Sequence, residues 1–420
     1  MSRALSFDQA PPFSVPLRFF LTAPLFGMAA GVVALLLGEE GWGSRWSPGC
    51  LVLTHLLTTG FMLQIMFGAL LQMLPVAIGT PLQRPGLVAG LAHPLLAIGT
   101  ITLCLGFFLG TSLAYQLAVS VFALGVTAFL GPVARAVFDA KARGATVVAF
   151  RLAIAGFGLT AGLGAVLAAA RAGVLEAEWL SLTSAHVAAG WIGWGGMLVV
   201  GAAYLVVPMF QLTPEYPKPM LRWFAGLLAI TVLLWVMSRH YFWADLLAVG
   251  MCCFAVITVG LQQKRRRKRA DVSLRFWQLG MAAMLVAALL WALLRSGFAI
   301  NATTAIEESL GALVLLGVFS ALICGMVYKI VPFISWLHLQ GMASQRPQMN
   351  QFISEGSQYR QLKWHAGATL LLGLAPWIQW MGRPGGLALV VSFGLLEWNL
   401  VQALRVFRES SRSAKVKEVA

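Results

Sequence analysis

The sequence predicts an all-α polytopic membrane protein, and three observations lead to this fold class. Hydrophobic residues make up 59% of the 420 residues and charged residues only 11%, against roughly 45–50% and about 25% in soluble domains. The apolar residues are gathered into long segments, and a helix of about 20 apolar residues is long enough to cross a bilayer. Basic residues are concentrated between alternate segments, as expected of a chain that crosses the membrane many times.

We expect a single integral membrane domain over residues 1–420, with twelve transmembrane helices. Residues 1–16 contain no apolar core, so we expect no cleaved signal peptide. The longest loop, 335–363, is polar and is predicted to be cytoplasmic and poorly ordered. The predicted spans are 17–37, 49–78, 86–108, 113–135, 148–170, 180–208, 221–239, 243–262, 274–295, 304–334, 365–382 and 385–405.

The net charge of +15 is distributed unevenly across these spans. All but five of the 30 basic residues fall on one side of the predicted membrane, which places the N and C termini in the cytoplasm. The run Lys264–Arg269 then anchors the topology and contacts anionic lipid of the bilayer, and we expect no nucleic-acid partner. The five exceptions are Arg45, Arg171, Arg239, Arg295 and Arg383.

A short motif occurs three times, at Gly68–Pro75, Gly201–Pro208 and Gly325–Pro332. Each copy is a glycine, six mostly apolar residues and a proline, and each ends one of the predicted spans 2, 6 and 10. Glycine allows close approach of helices in a membrane, and proline ends or kinks a helix. The spacing predicts three pseudo-symmetric four-helix arcs. The corresponding repeat units are approximately 17–135, 148–262 and 274–405.

Two histidines, His55 and His186, lie near the predicted outer ends of spans 2 and 6. An ionisable residue inside a membrane span is costly and therefore suggests a function. Two imidazoles at a similar depth suit axial ligation of a haem iron between helices. The alternative is that each ring bonds a backbone carbonyl or a threonine and serves packing alone, and the sequence leaves both interpretations open.

Two further positions carry a weaker signal. His240, at the outer end of span 7, could join His186 at a metal site, or it could simply belong to an interfacial aromatic belt. Glu397 interrupts span 12 and suits either a proton path or a polar bond between helices.

The remaining histidines and acidic residues favour structural roles. His93 is expected to serve packing, and His338 and His365, which flank the long loop, are expected to face water or headgroups. Glu307 and Glu308 are interpreted as the outer N-terminus of span 10.

The predicted protein resembles subunit I of the haem-copper oxidases. The shared features are twelve spans, cytoplasmic termini, three arcs and a histidine near the outer end of span 2. A closer local resemblance is to the NnrS family of haem-containing membrane proteins linked to nitric-oxide stress. The pattern of that family is matched by His55, Gly60, Gly68 and Pro75, and residues 16–26 are similar to its opening segment.

The resemblance implies a membrane-embedded b-type haem protein of the bacterial inner (cytoplasmic) membrane. Haem b would be bound by His55 and His186, with a respiratory electron donor or nitric oxide as partner. The histidine pairs that oxidases carry on span 10 and near span 7 are missing, as is the His-Pro-Glu-Val signature of span 6. We therefore expect a relative without the copper-containing oxygen-reducing centre.

Two other classes of function fit the same sequence. Twelve spans with internal repeats also describe many secondary transporters. A cofactor-free assembly or interaction protein of the same fold is the third hypothesis. The sequence does not decide whether the chain is an enzyme.

Overall fold

The computed structural model describes residues 10–37, 39–267, 269–298, 300–340 and 347–419, and the regular elements in these ranges are all helices. Arg3, Lys268 and Arg346, which contribute to the predicted charge asymmetry, lie outside the described residues. We number the long helices α1 to α12 in chain order. Their bounds are Ser14–Leu36, Pro48–Val76, Pro85–Leu109, Ser112–Phe138, Ala145–Arg171, Ser181–Gln211, Met220–Ser238, Tyr241–Gln263, Val272–Ser296, Ile300–His338, Glu355–Leu374 and Gly382–Val419.

Within the described residues, eleven of these helices are long and apolar enough to cross a membrane, and α11 is the exception. The chain is therefore a multi-pass membrane protein, as the composition predicts. Helices α1 to α10 begin and end within about four residues of the predicted spans, which is the usual precision of such boundaries.

The prediction for the eleventh span is wrong. Helix α11 begins at Glu355, about ten residues before the predicted start at 365, and the side chain of Ser354 caps it by accepting a hydrogen bond from Ser357 N. The first half of α11 contains Arg360 and Lys363, so a search for apolar segments passes over it. Much of the predicted loop 335–363 is consequently helical.

Helices α2, α6 and α10 share a local deviation from α-helical geometry. Each contains a π-helical segment, at Leu56–Met62, Ala189–Gly196 and Leu313–Ser320 respectively. Each segment begins 12 residues before the glycine that opens the Gly–Pro motif of its helix. The same local structure thus recurs at the same register, and π segments often occur at functional sites.

The motif glycines allow the second helix of a predicted repeat to lie close to the first. A Cβ atom at Gly68 would lie 3.0 Å from Cβ of Phe19 on α1, and one at Gly325 would lie 2.9 Å from Cβ of Phe276 on α9. These distances are shorter than ordinary contacts, so both positions require glycine. The two glycines and the two phenylalanines are each 257 residues apart.

By its internal contacts the chain forms two compact units. The first unit comprises Met1–Pro11, Ala69–Lys268 and Met284–Ile300, and the second comprises Pro12–Gly68, Arg269–Ala283 and Asn301–Ala420. The second unit thus contains α1, the first parts of α2 and α9, and helices α10 to α12. The candidate site residues are described below within their own unit.

Candidate functional site

His55 is the last residue before the π segment of α2 and belongs to the second unit. Its Nδ1 atom lies 2.8 Å from the carbonyl oxygen of Leu51, one turn earlier, and the ring is half-buried. A carbonyl oxygen can only accept, so Nδ1 carries the proton and the neutral ring keeps its lone pair on Nε2. This is the tautomer in which a histidine binds a metal through Nε2.

His186 has the same tautomer but a different partner. Its Nδ1 atom lies 3.0 Å from the carbonyl oxygen of Thr160 on α5, within the first unit. Gly164, also on α5, leaves room for the ring, since a Cβ atom there would lie 2.9 Å from Cε1 of His186. The carbonyl therefore fixes the orientation of a half-buried imidazole between two helices.

The two histidines are not at equivalent positions of the repeat. In the register set by the π segments and motif glycines, the residue that corresponds to His55 is Ala188 in α6 and Ala312 in α10. His186 lies two residues earlier than Ala188, which is about 3 Å along a helix and about 200° around it. His55 and His186 also belong to different units, so their pairing at one haem stays a prediction.

His240 is exposed and caps the N-terminus of α8. Its Nδ1 atom accepts a hydrogen bond from Phe242 N at 3.4 Å, so the proton of the neutral ring is on Nε2. This is the opposite tautomer to that of His55, and metal binding through Nε2 would require the proton to move. Among the described residues, no group of three or more His, Cys, Asp or Glu side chains is arranged to hold a metal ion.

The acidic residues of the second unit differ in their surroundings. Glu307 forms an ion pair with Arg45, with Nε and Oε2 3.4 Å apart. The carboxylate oxygens of Glu308 are buried and find no hydrogen-bond partner in the described part of the chain. Glu397 is half-buried, and its Oε2 atom also has no partner among the described residues.

The prediction that His365 faces water or headgroups is wrong. His365 lies in the middle of α11 and is fully buried in the second unit. Its Nδ1 atom is 3.2 Å from Oγ of Ser392, and its Nε2 atom is 3.1 Å from the carbonyl oxygen of Leu316. The rings of Phe276 and Phe393 flank it, with centroids 5.8 Å and 6.0 Å away.

Towards the N-terminal end of α11, buried polar groups continue from His365. Gln361 donates through Nε2 to Oγ of Ser392 at 3.0 Å, so one serine joins the amide and the imidazole. One turn further, Ser357 donates to Oδ1 of Asn399 at 2.6 Å, and Asn399 donates to the hydroxyl of Tyr328 at 2.8 Å.

In the other direction, Thr369 donates to the carbonyl oxygen of His365 at 2.9 Å. One turn beyond, Ser309 of α10 donates to the carbonyl oxygen of Gly373 at 2.8 Å and accepts from Trp377 Nε1 at 2.8 Å. These groups form what we call the polar column. Its members are Ser309, the carbonyl of Leu316, Tyr328, Ser357, Gln361, His365, Thr369, the carbonyl of Gly373, Trp377, Ser392 and Asn399.

A signal for the polar column was present in the sequence. Ser357, Gln361, His365 and Thr369 are four residues apart, so a helix places them on one face. The predicted span begins at residue 365 and so excludes Ser357 and Gln361. The four-residue spacing therefore does not appear within the predicted span.

The chain matches no protein-family model, and no curated protein is significantly similar to it. The resemblance to the haem-copper oxidases and the NnrS family therefore stays a prediction. Of the sequence-predicted site residues, His55 and His186 have the tautomer that an iron ligand needs.

Proposed function

We propose that this protein is a membrane-embedded b-type haem protein in which His55 supplies an axial imidazole. The observation that supports it is the bond between Nδ1 of His55 and the carbonyl of Leu51, because it places the ring proton on Nδ1, the tautomer in which a histidine inside a membrane span binds a metal through Nε2. His186, held by the carbonyl of Thr160, is the candidate for a second ligand, either of the same haem or of another.

The role of the polypeptide at this site follows from its hydrogen bonds. The Leu51 carbonyl orients the His55 ring and increases the basicity of Nε2, as the outer partners of metal-binding histidines commonly do. Thr59 donates to the carbonyl of His55 at 2.7 Å and so fixes the backbone where the π segment begins. A haem b held here would supply reversible one-electron chemistry or a binding position for nitric oxide.

The same bond geometry occurs at one histidine outside the proposed site. Nδ1 of His338 lies 2.8 Å from the carbonyl of Ile334, at the very end of α10. The bond alone therefore does not distinguish a haem ligand from a packing histidine. The position of the residue does, because His55 lies seven residues inside α2 whereas His338 is the last residue of α10. His338 thus offers a control with matched chemistry.

The proposals for location, topology and partners rest on the sequence. We infer a bacterial inner-membrane protein with cytoplasmic termini and three pseudo-symmetric four-helix arcs. The shared register of the π segments in α2, α6 and α10 supports the three arcs. A respiratory electron donor or nitric oxide would be its partner. Helix α10 has no histidine before His338, so we propose no copper-containing oxygen-reducing centre.

The test is the dithionite-reduced minus oxidised absorption spectrum of the detergent-purified protein. Wild type is expected to show a b-type spectrum that is lost in His55→Ala and kept in His338→Ala and His240→Ala. Loss of the spectrum in His186→Ala as well would identify a bis-histidine haem. A monodisperse wild-type protein without haem would overturn the proposal and favour a secondary transporter or a cofactor-free assembly protein.

A further inference from the structure

The polar column is long enough to cross most of a membrane. From Ser357 to Gly373, α11 advances 16 residues, or about 24 Å at the helical rise, against a hydrocarbon thickness of about 30 Å. Apart from Trp377 at one end, which is 47% exposed, the side chains that form it are almost fully buried inside the second unit, among them Gln361, His365 and Ser392 at 0% exposure. The column therefore lies inside the protein and is not a lipid-facing strip.

The hydrogen bonds at the centre of the column have a fixed direction. The Leu316 carbonyl can only accept, so His365 carries its proton on Nε2 and its Nδ1 atom is an acceptor. Ser392 must then donate its hydroxyl proton to Nδ1, while its oxygen accepts from Nε2 of Gln361. A hydroxyl that donates to a titratable ring and accepts at the same time is suited to pass a proton onward.

Two buried polar atoms, one in the column and one on α10 beyond Tyr328, indicate bound water. Oε1 of Gln361 and Oγ of Ser335 are buried and have no hydrogen-bond partner in the described part of the chain. Ser335 is seven residues, or two turns, beyond Tyr328 on α10. Buried polar atoms are nearly always bonded, and an internal water is the usual partner when no protein group is near.

We propose that the polar column is a hydrated proton pathway through the membrane, with His365 as its relay. Packing alone does not require it, since an apolar helix would fill the position of α11 at lower cost in hydrocarbon. The column instead contains hydroxyl, phenol and imidazole groups, all of which can exchange protons. This proposal goes beyond the haem hypothesis and does not depend on it.

Ser392 and His365 together can pass one proton and return to their starting states. The excess proton enters on the water at Oε1 of Gln361, and this hydronium gives a proton to Ser392 as Ser392 gives its own hydroxyl proton to Nδ1 of His365. The imidazolium rotates about its Cβ–Cγ bond so that its Nδ1–H group faces the Thr369 side, where it gives that proton to a water. The ring, which has kept its proton on Nε2, then rotates back. One proton has crossed the relay, carried by water on entry and on exit, and His365 and Ser392 end as they began.

The experiment is proton flux into liposomes that contain the purified full-length protein and the pH-sensitive dye pyranine. A potassium gradient and valinomycin impose the membrane potential that drives protons. Wild-type protein is expected to conduct protons faster than protein-free liposomes. His365→Gln, which keeps a hydrogen-bonding amide but cannot be protonated near neutral pH, and Ser392→Ala are both expected to reduce the flux to the protein-free rate.

A matched control is Ser320→Ala. Ser320 is also fully buried in the second unit, but its hydroxyl donates to the Leu315 carbonyl outside the column. The proton flux of this variant is expected to equal that of wild type.

Two results would overturn the proposal. One is a wild-type proton flux no greater than that of protein-free liposomes. The other is a wild-type flux in the His365→Gln variant, provided that this variant elutes as a monodisperse protein. Loss of flux in Glu397→Gln with retention in His365→Gln would assign the pathway to Glu397 instead. Haem content, read in the same samples, tests the haem hypothesis separately.

Discussion

Nε2 of His365 donates to the carbonyl oxygen of Leu316 across 3.1 Å, and Leu316 lies in the π-helical segment of α10. The same carbonyl also accepts from the backbone N–H of Ala321, the bond expected of a π-helical turn. A histidine adjoins the π segment of the other two helices as well. His55 immediately precedes the segment of α2, and His186 is three residues before that of α6. In these three helices the π segment that precedes the Gly–Pro motif and an imidazole thus occur together, which is why both proposals centre on these positions.

Replacement of His365 by leucine is expected to destabilise the protein. The change removes the bonds to Ser392 and Leu316, and hydrogen bonds between membrane helices contribute about 0.6–1.7 kcal/mol each. We expect a loss of about 1–3 kcal/mol in the free energy of unfolding, measured by denaturant titration in detergent. His365→Gln should lose less, because an amide can replace part of the bonding. Equal stability of His365→Leu and wild type would show that the network contributes nothing to folding.

Gly325→Ala is expected to loosen the contact between α9 and α10. The added methyl group would lie 2.9 Å from Cβ of Phe276 and 3.1 Å from the carbonyl oxygen of Ser273, so a helix must shift. Overpacking of this kind costs about 1–3 kcal/mol. Gly367→Ala on α11 is the control, because no described atom beyond its local helix lies within 4 Å, and alanine should stabilise that helix. A melting temperature unchanged in Gly325→Ala would contradict the close packing.

The sequence predicts the helices of this protein better than its buried polar sites. Apolar segments place α1 to α10 because hydrocarbon requires long apolar helices. The same criterion fails for α11, because its exposed Arg360 and Lys363 lower the hydropathy of a helix whose opposite face, including Gln361 and His365, is buried against other helices. Hydropathy describes a side chain alone, whereas the environment of His365 depends on Ser392 and Leu316, which are distant in sequence.

The opening segments of α1 and α9 carry a second sequence signal of the repeat. Val15-Pro-Leu-Arg-Phe-Phe20 opens α1, and Val272-Ser-Leu-Arg-Phe-Trp277 opens α9. Their separation of 257 residues equals that of Gly68 and Gly325, which these segments contact. The π segments, by contrast, follow from backbone hydrogen bonding and have no comparable letter pattern.

Asp271 is expected to support α9 in two separable ways. Its Oδ1 atom caps the helix by accepting from Leu274 N at 2.9 Å, and its Oδ2 atom bonds Nζ of Lys329 at 2.7 Å. Asp271→Asn should keep an acceptor for the cap but lose the ion pair, whereas Asp271→Ala should lose both and cost about 1 kcal/mol more. Thermal melting in detergent measures the two variants. The double variant Asp271→Asn with Lys329→Met should recover part of the loss, since it removes the unpaired charge. The same melting temperature for Asp271→Asn and Asp271→Ala would exclude a capping role.

Free imidazole is expected to restore haem binding to His55→Gly. The proposed ligand acts only through its ring, so a small imidazole that enters the space left by the side chain can occupy the axial position without a covalent link to α2. The reduced-minus-oxidised spectrum should be absent in His55→Gly, reappear on addition of imidazole, and rise to a plateau as imidazole is increased. The bond to Leu51 predicts one further detail. N-methylimidazole has no N–H to donate to that carbonyl, so it should bind more weakly than imidazole. Recovery with neither compound in a folded variant would remove His55 from the list of candidate haem ligands, and equal recovery with both would show that the Leu51 carbonyl does not orient the ring.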